Sequence, residues 1–79
     1  RDKRFVKNEY PYQVPTGTYH YVMWYTYQNT SDEEINYDIK NSLYELVGHK
    51  SFEFVWYENP KMSVPEIYHV QVFWHLVNN

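Results

Sequence analysis

Three stretches of alternating aromatic and β-branched residues limit this chain to a fold that contains a sheet. They cover residues 19–27, 51–57 and 68–77, and each alternates with the period of two that strands have. In the first stretch both alternating faces are largely apolar. We therefore expect this strand to be covered on both sides, either by the rest of the protein or by a partner.

One segment, residues 31–47, has helical periodicity instead. Ser31 is a suitable N-cap, Glu34 follows three residues later as in a capping box, and Gly48 suits the position after the last turn. The apolar residues of the segment recur at helical spacing. They predict a single buried stripe, formed by Ile35, Ile39, Leu43, Leu46 and Val47.

The resulting element order, β-α-β-β, predicts an α+β domain. We expect a small, mostly antiparallel sheet of about three strands with one amphipathic helix across one face. A chain of 79 residues has room for one such domain, which we place at residues 10–79. Residues 1–9 are polar, and we predict that they form an irregular, basic N-terminal arm.

Charge and composition exclude several classes of protein. The chain has no cysteine, which excludes disulfide frameworks and thiolate metal sites, and its two glycines cannot form a phosphate-binding loop. The net charge is −3, and the basic residues of the arm sit on an acidic body, so we expect no nucleic-acid binding. No apolar run is long enough for a membrane span, and nothing resembles a signal peptide. We expect an intracellular or virion-associated protein without cofactor or metal.

The histidines are the residues best suited to chemistry. His69 and Gln71 lie on one face of a predicted strand, about 7 Å apart, a spacing that suits two neighbouring atoms of one ligand. His20 could lie across the sheet from His69. We expect any such ligand to be a weakly bound anionic small molecule, such as a phosphate or a nucleotide. The alternative is that these residues are ordinary polar groups on a sheet surface.

Three segments of the chain together resemble a known domain family. They are Pro11 with His20-Tyr21-Val22-Met23-Trp24, then Val55-Trp56-Tyr57-Glu58-Asn59-Pro60, then residues 63–72 with Ser63-Val64-Pro65 and His69. In order and spacing they are similar to an uncharacterised family of fungi and large DNA viruses, which includes an N-acetylglucosamine-induced fungal protein. The resemblance covers most of the chain and implies no particular activity.

The same layout is distantly similar to the histidine-triad nucleotide-binding superfamily. That resemblance implies His69 as a catalytic nucleophile, Gln71 at the third triad position and Asn59 as a residue that orients the substrate. Ile67 stands where the first histidine of the triad is expected. Without that histidine the nucleophile lacks one orienting partner.

Taken together, these features favour a non-enzymatic binding or assembly module, an accessory protein or subunit of a larger complex. Its partner would be another protein or a second copy of the chain. Three features support this hypothesis: the small size, the apolar residues on both faces of the strands, and the many aromatic residues, which are ten tyrosines, four phenylalanines and three tryptophans. The alternative is a histidine-triad-like phosphohydrolase or nucleotidyl transferase that uses His69, or an inactive phosphate-binding remnant, with His20, Asn59 and Gln71 as ligand-binding residues.

Overall fold

The fold is a four-stranded antiparallel sheet with one helix across it. A computed structural model describes residues 3–8, 14–26, 30–58 and 67–77. Its elements are β1 (Lys3–Lys7), β2 (Thr18–Tyr25), α1 (Asp32–Val47), β3 (Phe52–Tyr57) and β4 (His69–Leu76). The strands lie in the order β1-β2-β4-β3, and every neighbouring pair is antiparallel. The predicted α+β class, with one helix on a mostly antiparallel sheet, is confirmed.

The fourth strand comes from the segment that we predicted to be an irregular arm. Residues 3–7 form β1, which pairs with β2 so that Phe5 lies opposite Met23. Phe5 and Val6 are half-buried, while the three basic residues of the strand are exposed. A strand with only two apolar residues among charged neighbours gives no clear alternation, which is why the sequence suggested an arm. Its lysines are typical of an edge strand that is protected from further pairing.

The sheet has two different faces because side chains alternate along each strand. One face packs against α1 and holds the hydrophobic core, which consists of Met23, Tyr25, Ile35, Ile39, Leu43, Val70, Val72 and Trp74. We call the opposite face the far face. Its side chains, placed by the strand registers, are Arg4, Val6, His20, Val22, Trp24, Glu53, Val55, Tyr57, His69, Gln71, Phe73 and His75.

The helix begins and ends where the sequence predicted. The Ser31 side chain accepts a hydrogen bond from the Glu34 backbone N–H at 3.1 Å, as an N-cap does. Gly48 has a φ of 69°, a left-handed conformation that glycine adopts without strain, and its N–H donates to the Tyr44 carbonyl. Within the described ranges, no helix is both long enough and apolar enough to cross a membrane.

The predicted apolar stripe of the helix is correct except at its end. Ile35, Ile39 and Leu43 are fully buried, and Val47 packs against the core. Leu46 is 50% exposed, because it does not face the centre of the sheet. It lines a groove beside Phe5 and Tyr21 that opens to solvent.

Polar contacts fasten α1 to both edges of the sheet. Asp38 is buried, and its carboxylate lies 3.1 Å from the Lys3 ammonium group of β1 and accepts a 3.0 Å hydrogen bond from the Tyr25 hydroxyl. On the other side, the Trp56 indole N–H of β3 donates to Asn36 at 2.9 Å. A buried carboxylate is tolerated when it is paired and hydrogen-bonded in this way.

Candidate functional site on the far face

Three parallel rings cross the far face from β2 to β3. His20 lies opposite Phe73, with ring centroids 4.3 Å apart and ring planes 9° from parallel. Phe73 stacks in turn on Tyr57 at 5.7 Å and 14°. We call His20, Phe73 and Tyr57 the ring ladder. Tyr57 is 51% exposed and its neighbour Val55, which lies opposite Phe73, is 62% exposed, so this end of the ladder is an accessible apolar surface.

A hydrogen-bonded chain holds His20 in one tautomer. Its Nε2 lies 2.5 Å from Gln71 Oε1, and its Nδ1 lies 3.1 Å from the Asn8 side-chain nitrogen. An amide nitrogen can only donate and an amide oxygen can only accept. The neutral ring therefore carries its proton on Nε2, donates to Gln71 and accepts from Asn8. Since both ring nitrogens are engaged, His20 is a structural member of the face.

His69 has the opposite tautomer and a different environment. It is buried, it lies opposite Trp24 with ring centroids 4.3 Å apart, and its Nδ1 is 3.1 Å from the Ile67 carbonyl oxygen. Because a carbonyl only accepts, the neutral ring carries its proton on Nδ1 and presents a lone pair at Nε2. Such a nitrogen can accept a proton or attack an electrophile, but it cannot donate to a phosphate oxygen while the ring is neutral.

The structure brings some of the predicted site residues together and separates others. His69 and Gln71 share the far face of β4, two positions apart, as expected. His20 contacts Gln71, but it does not lie across from His69, because the register places Trp24 there and His20 four residues away along β2. Asn59 lies outside the described residues, as do Pro11 and Ser63 of the resembling segments.

Two further polar pairs have no signal in the sequence. His75 and Glu53 face each other across β4 and β3 at 3.1 Å, at the other end of the far face. The Tyr68 hydroxyl donates to Glu58 at 2.5 Å. Burial raises the pKa of Tyr68 above its ordinary value of 10.0, and the hydrogen bond and negative charge of Glu58 raise it further. The strand register brings His75 and Glu53 together. Glu58 directly follows β3 and Tyr68 directly precedes β4, so the pairing of these two strands brings the second pair together.

Phe73, the middle ring of the ladder, lines a shallow cavity together with Val55. Its volume is about 370 Å³, and its lining comes from the ends of β2, β3 and β4: Thr18, Glu53, Phe54, Val55, Phe73, Trp74 and His75. Among the described residues, no three His, Asp or Glu side chains are grouped as a metal ion would require.

Comparison with known proteins adds no further constraint. The chain matches no protein-family model, no curated protein and no solved structure at a significant level. The resemblances to the fungal and viral family and to the histidine-triad superfamily stay predictions.

Proposed function

We propose that this chain is a non-enzymatic protein-binding module, an accessory protein or subunit that engages a partner protein through its far face. The ring ladder is the observation that supports this proposal. Val55 and Tyr57 are exposed at the end of a stack that Phe73 and His20 continue into the sheet. Aromatic side chains that are already held in place lose little conformational entropy on binding, and they are enriched where protein interfaces gain most of their affinity.

The polar groups around the ladder fit an interface better than a catalytic centre. His75 and Glu53 form an exposed pair beside Val55, as in the polar rim that surrounds the apolar centre of an interface. His20 is engaged by Asn8 and Gln71. No described carboxylate hydrogen-bonds to His69, whose ring nitrogen Nδ1 meets a backbone carbonyl instead. A nucleophile or base normally has a side-chain partner that orients or activates it.

Site-specific photo-cross-linking tests this function. A photoreactive phenylalanine analogue is placed at Tyr57 on the far face, and a matched probe is placed at Tyr37, which is 67% exposed on the helix. In the cells that make the chain, we expect a discrete cross-link to another protein from position 57 and none from position 37. Val55→Lys, which places a charge beside the probe, should abolish it. Equal labelling from both positions, or a cross-link that Val55→Lys leaves unchanged, would contradict the proposal.

A second candidate function, histidine-triad-like phosphoryl or nucleotidyl transfer, is favoured by one observation. The Nε2 lone pair of His69 and the amide nitrogen of Gln71 both lack a hydrogen-bond partner among the described residues, and both side chains lie on the far face of β4. They could act as nucleophile and hydrogen-bond donor. Incubation of the purified chain with a panel of nucleotides tests this. Turnover that His69→Gln abolishes and Val55→Lys preserves would support transfer chemistry over binding.

A further inference from the structure

The backbone of β3 presents unpaired hydrogen-bonding groups along one edge of the sheet. The N–H of Val77 donates to the carbonyl of Ser51 at 2.9 Å, so these two residues form a hydrogen-bonded pair. Hydrogen-bonded and non-hydrogen-bonded pairs then alternate along the β3–β4 ladder. Backbone groups of odd-numbered β3 residues therefore point to β4, and those of Phe52, Phe54 and Trp56 point away from it. No backbone hydrogen bond from the described residues reaches these three. We call the outward-pointing backbone groups of Phe52, Phe54 and Trp56 the β3 edge.

The two edges of the sheet differ in how they discourage pairing. The edge strand β1 carries Lys3, Arg4 and Lys7 among its five residues. The edge strand β3, Phe52–Tyr57, carries one charged residue, Glu53, among six. Lysines on an edge strand are a common protection against pairing with another chain, and an apolar edge without them is a place where another strand can add.

Complementary charges at the two ends of β3 select a second copy of the same strand as its partner. When two copies pair antiparallel with Phe54 opposite Phe54, Lys50 of each copy lies opposite Glu58 of the other. Both residues are exposed. Opposite charges directly across a ladder stabilise the pairing, and this register places two such pairs symmetrically about the centre.

The neighbouring registers lack this complementarity. A shift by two residues in one direction places Glu53 opposite Glu53 of the second copy, and like charges that face each other are destabilising. A shift in the other direction places Glu58 opposite Phe52. The register centred on Phe54 therefore satisfies the β3 edge and the charges together, with Phe52 of each copy opposite Trp56 of the other.

We infer that two copies of this chain associate through the β3 edge, in the register centred on Phe54, to form one continuous antiparallel sheet. An antiparallel edge pair has its two-fold axis perpendicular to the sheet, so both helices lie on one side and both far faces on the other. The inference does not depend on the proposed function, because the pairing uses backbone groups of an edge and the proposed function uses a face.

Sedimentation equilibrium of the purified chain, from micromolar to near-millimolar concentration, tests the inference. We expect a monomer–dimer equilibrium. Lys50→Glu should weaken dimerisation by about tenfold, since it places like charges at both ends of the pair. Adding Glu58→Lys to that variant should restore most of the lost affinity, because the exchanged charges again face each other. Lys7→Glu, the same change on the β1 edge, should have no effect.

Amide exchange measured by NMR locates the interface independently. Protection of the Phe54 amide should increase with protein concentration, while the amide of Val55, which already bonds to β4, should be unchanged. A chain that remains monomeric throughout, or a dimer that Lys50→Glu leaves intact, would overturn the inference. Neither result would affect the cross-linking test of the far face, which reports a different partner by its mass.

Discussion

Asp38 of the helix lies 3.1 Å from Lys3 of the first strand, and this contact joins the N-terminal segment to the core. The Asp38 side chain is 5% exposed, while that of Lys3 is 46% exposed. The carboxylate has therefore lost most of its water and depends on Lys3 and on the Tyr25 hydroxyl for compensation. A residue that the sequence placed in an irregular arm is thus part of the folded domain.

Removing Lys3 should destabilise the protein more than the exposure of the Lys3 side chain suggests. Among the described residues, Lys3→Ala leaves the buried carboxylate with the Tyr25 hydroxyl alone, and we expect a loss of about 1–3 kcal/mol in the free energy of unfolding. Lys7→Ala is the matched control, because Lys7 is an exposed residue of the same strand, and its effect should be within about 0.5 kcal/mol. Urea unfolding measures both, and equal effects would mean that the Lys3–Asp38 contact does not hold β1.

Two leucines of the helix differ in burial, because one lies in the buried stripe and the other at its exposed end. Leu43 is fully buried and Leu46 is half-exposed, although the sequence assigned both to one stripe. Leu43→Ala should cost about 2–5 kcal/mol because it leaves a cavity in the core. Leu46→Ala should cost less than about 1 kcal/mol, since the alanine replaces a side chain that water already reaches. Thermal or urea unfolding measures both losses. Equal losses for the two variants would contradict the burial difference between Leu43 and Leu46.

The sequence was informative where periodicity alone decides the structure. The Ser31 cap and the three strands with clear alternation follow from local rules, and the structure has them within a few residues of the predicted bounds. β1 was missed because charged residues obscure its two apolar ones. The pairing of His20 with Gln71, and of Trp24 with His69, depends on strand order and register. Neither can be obtained from alternation, since it gives the face of a residue but not its neighbour across the sheet.

Tyr68 predicts a loss of stability at high pH. Burial and the contact with Glu58 raise the pKa of its phenol above 10.0, so the folded state retains a proton that the unfolded state releases. The stabilisation is complete below pH 10 and decreases as the pH rises above it, because the unfolded state then binds fewer protons than the folded state. Tyr68→Phe should flatten this part of the pH profile of unfolding.

Tyr37→Phe is the control for that measurement. Tyr37 is 67% exposed on the helix, and its removal should leave the alkaline decline in place. A decline of the same size in Tyr68→Phe and in the unaltered chain would show that Tyr68 is not its cause.

The two buried histidines of the far face should show opposite tautomers in one spectrum. At a pH above about 8, where an ordinary imidazole is neutral, nitrogen–proton correlation NMR should place the His20 proton on Nε2 and the His69 proton on Nδ1. The reason is that His20 donates to Gln71 and His69 donates to the Ile67 carbonyl. Identical tautomers would contradict these hydrogen-bond assignments, and a His69 proton on Nε2 would remove the lone pair that the transfer function requires.

A charge on the far face and the loss of His69 should have different effects in the cells that make the chain. Size-exclusion chromatography of the native extract reports whether the chain elutes within a larger complex. We predict that Val55→Lys releases the chain to its free size while His69→Gln leaves it in the complex. Retention of Val55→Lys in the complex, together with loss of a nucleotide-dependent activity in His69→Gln, would contradict the binding function and favour the catalytic one.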